Sequence, residues 1–70
     1  MATIIIEPGE TFEHTHSRQG ATILREGDVE LEIDGDRRSL QRDVPIQIRA
    51  GQHHVMRNVG NTPARIDCWH

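Results

Sequence analysis

Two of the five histidines stand two residues apart, as His14-Thr15-His16, in a run that alternates like a strand. Side chains at i and i+2 of a strand leave the same face. Two neutral imidazoles on one face can share a cation, and imidazole suits Fe, Cu, Ni and Zn. Taken alone, the pair fits two surface or hydrogen-bonded histidines better than a metal site. His53 and His54 are adjacent, so a strand would point them to opposite faces. His53 reads as a surface or interface histidine, and the terminal His70 as mobile rather than as a fourth ligand. Cys68 reads as a small core hydrophobe rather than a nucleophile. No serine–histidine–acid set is visible.

The elements that must position these residues are short strands. Nowhere do apolar residues recur at i, i+3, i+4 and i+7 over three turns, which excludes a significant helix. Alternating runs separated by Gly, Asp, Asn and Pro predict strands over 3–6, 11–16, 21–25, 29–33, 37–41, 45–49, 53–59 and 64–69. Val29, Leu31 and Ile33 should share one face, with Glu30 and Glu32 on the other. Ala64, Ile66 and Cys68 should do the same in the last run, which leaves Trp69 to cover an edge or interface. Asp34-Gly35 is a hairpin turn signal. About eight short strands at this spacing imply an all-β sandwich or barrel.

Seventy residues make one domain, 1–70, with a thin core. One cysteine excludes an internal disulfide, so help must come from a metal, a partner chain or both. The exposed first strand invites pairing with another chain, and a homodimer is expected. The formal charge is −3, with acidic and basic residues interspersed. The Arg37-Arg38 pair reads as a solvated hairpin face. With Phe12 and Trp69 as the only aromatics, the basic stripe and stacking rings of a nucleic-acid reader are missing. No apolar run approaches the roughly 20 residues of a membrane helix, and no signal-peptide pattern opens the chain. A cytoplasmic location is the expectation.

Gly9, four residues, His14-Thr15-His16, then ten residues to Gly27 resembles the first motif of the cupin superfamily. Gly51-x-x-His54-x-x-x-Asn58 resembles the second. The resemblance implies a double-stranded antiparallel β-barrel, or jelly roll, whose mouth holds a divalent transition metal. Carried over, the ligands are His14, His16 and His54. The chain departs from the pattern at three places: Gly20 stands where the first motif usually has a glutamate, and Asp43 and Arg49 stand where the second usually has glycine and proline.

Without the glutamate, three neutral imidazoles leave the ion its full charge, which favours an anionic or chelating small ligand. Three protein ligands with open positions suit a catalytic centre rather than a closed structural one. Gly20, Thr22, Leu24 and Met56 are candidates for the pocket wall, Met56 also for the core. Phe12 should pack beneath His14, and Asn58 should hold a turn or a backbone group. The family includes three-histidine oxygenases acting on diketones or thiols, so a metal-dependent dioxygenase or lyase is one expectation. A non-catalytic ligand- or metal-binding module is another, and an isomerase or cyclase a third. Fe, Mn, Ni, Cu and Zn all remain open as the metal.

Overall fold

The computed structural model describes residues 1–69; His70, and with it the question of a fourth ligand, lies outside them. Eight strands follow one another: β1 (Ala2–Ile6), β2 (Thr11–Thr15), β3 (Gly20–Glu26), β4 (Val29–Ile33), β5 (Asp36–Ser39), β6 (Ile46–Ile48), β7 (His53–Asn58) and β8 (Ala64–Trp69). No helix occurs among the described residues, and so none is long and apolar enough to cross a membrane. The strands match the alternating runs of the sequence to within one or two residues at their ends, where strand assignments ordinarily fray.

The strands form two four-stranded sheets, ordered β1-β8-β3-β6 and β2-β7-β4-β5, and every strand pairing is antiparallel. Inward-facing residues of both sheets make one core. Ile6, Leu24, Val29, Leu31, Ile48, Met56 and Ile66 are buried there together with Ala64 and Cys68. Period-two alternation produces this directly: in β8, Ala64, Ile66 and Cys68 go in, as their spacing predicts.

Turn chemistry closes the strands. Asp34 and Gly35 both have positive φ, 52° and 80°, the conformation a two-residue type I′ hairpin requires between β4 and β5. Gly27 has φ +92°, and a Cβ there would lie 2.9 Å from the backbone of Ala64. Only glycine satisfies both demands. Asp43, one of the departures from the second motif, holds φ 64°. It keeps a left-handed backbone without glycine, its N–H donating to Leu24 O at 2.8 Å. Asp is among the few side chains that tolerate this region. Arg49, another departure, donates its backbone N–H to Gln52 Oε1 at 2.9 Å, a bond proline could not make.

Candidate metal centre

One strand register and one turn contact bring the histidines together. In the antiparallel register of β2 and β7, His14 stands directly opposite His54. Opposed residues share a face, so the register alone joins residues forty positions apart in the chain. β2 ends at Thr15, one residue before its expected end. His16 leaves the strand because its backbone bonds elsewhere: its C=O accepts from Gly51 N at 2.7 Å, and its N–H donates to Gln52 O at 3.4 Å. The second-motif turn thereby clamps the end of the first motif.

The three rings face one another. Ring centres lie 5.0 Å apart for His14–His16, 4.9 Å for His16–His54 and 5.9 Å for His14–His54. Imidazoles binding one ion at about 2.1 Å place their ring centres about 4.5–5.2 Å apart. Two edges of the triangle meet that range and the third is slightly wide. Among the described residues no set of three His, Cys, Asp or Glu forms a ready-made ion cage. The wide edge joins His54 to His14, and His14 is exposed. His16 and His54 are fixed, with 2% and 1% exposure.

Electrostatics favour an ion there. Both ring nitrogens of His54 are buried without a hydrogen-bond partner. A buried polar atom left this way is costly, and a bound ion or water is its usual explanation. Burial, reinforced by the charges His16, His14 and His53 would carry, lowers the His54 pKa to about 4. At neutral pH its ring is therefore uncharged and has a lone pair to offer. The donor set fits a borderline transition metal.

The pocket in front of the rings is bounded by Ala2 and Ile4 of β1, Phe12 of β2 and Cys68 of β8. This corrects the wall expected from sequence. Thr22, Leu24 and Met56 are at most 1% exposed and fill the core, outside the pocket lining. Thr22 Oγ1 there donates to Met56 Sδ at 3.8 Å and sits 3.6 Å from Cys68 Sγ. Gly20 lines a separate open depression with Trp69 and Gln47. The expectation followed parity along β3, but β1 and β8 supply the wall. Ala2 and Ile4 share parity with the buried Ile6, the one sequence signal that could have pointed to them. Cys68 is a core residue as expected and is also pocket wall; burial pushes its thiol up, against an opposing Thr22 contact.

The readings of Phe12, Asn58 and His53 agree with the structure. Phe12 packs on His14 with ring centres 6.0 Å apart. Asn58, 2% exposed, donates to Ile6 O and Thr62 O at 2.8 Å each and accepts from Gly60 N at 2.9 Å. It ties the β7 end to two other segments. His53 points outward, its Nδ1 2.9 Å from Thr15 Oγ1 and its Nε2 3.3 Å from Glu13 Oε2. Trp69 is half-buried with the Arg25 guanidinium 6.0 Å from its ring centre.

Residues 2–70 match the family described as the cupin domain. The chain is a cupin. It is 35% identical over 65 residues to the tetracenomycin polyketide synthase protein TcmJ of Streptomyces glaucescens, covering 90% of this cupin and 44% of that protein. The chain thus spans less than half of that relative's length. Among solved structures, the cupin domain of an XRE family transcriptional regulator from Enterobacter cloacae superposes with a TM-score of 0.85 at 26% identity, over 96% of this chain and 74% of that one. An oxalate oxidase superposes with a TM-score of 0.85 at 23% identity, over 96% of this chain and 38% of that one. The spread from enzyme to regulator domain confirms the barrel and leaves function to the site.

Proposed function

We propose that this cupin holds one divalent transition metal, Fe, Mn, Ni, Cu or Zn, through His14, His16 and His54, and presents it to a small chelating ligand. The observation that carries this is His54: a 1% exposed imidazole with two unpartnered nitrogens, facing two further imidazoles. A bound metal would supply Lewis acidity and, if redox-active, one-electron chemistry with dioxygen. The chain's own residues contribute the rest. His16 and His54 are held by burial, His14 stands exposed beside them, and Ala2, Ile4 and Phe12 give the pocket an apolar wall. No carboxylate or arginine lines the pocket, so the protein offers no acid–base pair of its own. That favours an oxygenase or lyase whose chemistry belongs to the metal, over an isomerase or cyclase.

The same lack of acid–base groups favours a second reading, a ligand- or metal-binding module without turnover. A homodimer belongs to either reading: β1 is an edge strand, and its Ile5 is 56% exposed. Light scattering showing a stable monomer at micromolar concentration would remove the dimer.

Elemental analysis of protein purified without added metal tests the centre. A stoichiometric redox-active ion supports the oxygenase, and stoichiometric zinc supports the lyase or the binding module. No metal as purified, together with no uptake on titration with Zn(II), Fe(II), Mn(II), Ni(II) or Cu(II), sinks the proposal.

A further inference from the structure

The pocket says what kind of ligand would reach such a centre. It has a volume of about 190 Å³. His14, His16 and His54 line it together with Ala2, Ile4, Phe12 and Cys68. No Asp, Glu or Arg lines it, and the chain contains no lysine. Apart from the imidazoles and the Cys68 thiol, the lining is aliphatic or aromatic. An apolar cavity of about 150 Å³ stays dry and takes up benzene, so this one has room for a single ring or a short branched chain. A carboxylate pressed against Ile4 and Phe12 would lose its water and gain no partner.

We propose that the pocket takes a small, mainly apolar molecule, one ring or a short branched chain in size, with a single chelating head turned toward His14, His16 and His54. The head depends on the metal reading above; the apolar body depends on the cavity alone. A compact dianion such as oxalate leaves the apolar wall unused and is disfavoured.

Two binding measurements test this separately. In the first, toluene is titrated into metal-free protein and followed by methyl and aromatic NMR. Saturable shifts should appear at Ala2, Ile4 and Phe12, and Ala2→Leu, which fills the pocket from an exposed rim position, should weaken them at least fivefold. Ala2→Val is the milder filling variant and should act in the same direction. In the second, zinc-loaded protein is titrated with benzohydroxamate and with acetohydroxamate, which share a head and differ in body. The phenyl compound should bind about tenfold tighter or more, and Ala2→Leu should erase the difference. Shifts only at the exposed Ile5 and Val59, no shifts at all, or equal affinity for the two hydroxamates would overturn the proposal. Toluene binding without any zinc uptake would overturn the metal reading and leave the apolar pocket standing.

Discussion

The two faces of the β2–β7 ribbon use the same residue type for opposite ends. On the outer face His53 is 52% exposed and has both nitrogens engaged, with Thr15 and Glu13. On the inner face its neighbour His54 is 1% exposed and has neither engaged. One step along the strand exchanges solvent and a carboxylate for a largely apolar pocket and two further imidazoles. The outer histidine is satisfied by its own protein. The inner one is left with a need that an ion can meet. A second contrast runs along the inner face itself. Asn58, four residues beyond His54 on the same strand face, is just as buried, yet both its side-chain polar atoms are paired. Burial of a polar group is therefore not the mark of the site; burial without a partner is.

The largest expected effect separates the faces. Replacing His54 with alanine should abolish stoichiometric zinc binding in calorimetric titration. The loss should exceed the roughly 10–100-fold that follows when a metal ligand merely loses its hydrogen-bond partner. His14→Ala and His16→Ala should act alike, and His53→Ala should leave affinity unchanged. Loss on His53→Ala with retention on His54→Ala would invert the comparison.

Next in size is the contrast within the inner face. Asn58→Leu strands the Ile6 and Thr62 carbonyls and should cost about 2–4 kcal/mol in urea unfolding. His54→Leu removes orphaned nitrogens, so metal-free protein should be unchanged or stabilised by about 1 kcal/mol. A substantial destabilisation by His54→Leu would mean that the ring is satisfied in solution without an ion.

A smaller effect belongs to the outer face of the other sheet. Asp67 accepts from Arg25 Nε at 3.0 Å and from Thr3 Oγ1 at 2.9 Å. Those bonds, Arg25 first, hold its carboxyl below the usual carboxylate range. A depressed carboxyl contributes stability that is full above its unfolded value of about 3.9 and is lost as pH falls through its lower folded value. Urea midpoints measured from pH 7 down to pH 2 should therefore fall less steeply at the acid end in Asp67→Asn than in the parent, and an unchanged acid limb would discount the pairing. The smallest effect is expected for Glu13→Gln. It should change stability by less than about 0.5 kcal/mol, since the His53–Glu13 contact is exposed to solvent and salt.

Local sequence rules carried most of the architecture. Alternation placed all eight strands, and Asp34-Gly35 and Gly27 placed turns whose positive φ the backbone shows. These are local because side-chain direction flips with each residue, whatever the strand pairs with. The same rule put His14 on one face, separated His53 from His54, and assigned Cys68 to the core. The pocket wall was not legible. Parity along β3 nominated Gly20, Thr22 and Leu24, and parity with His54 nominated Met56. These face inward or toward another depression, at depths where the core rather than the cavity meets them.

What the sequence determined by itself was which side chains face inward and that three of them are histidines in the spacing of the family's motifs. What only the tertiary structure decided was distance and company. The pairing of His14 with His54 depends on the register of two strands far apart in the chain, and the clamp on His16 depends on a distant turn. The apolar wall is brought across from the other sheet by β1 and β8. Periodicity is a property of one strand and register a property of two, but a cavity exists only once two sheets have been laid face to face.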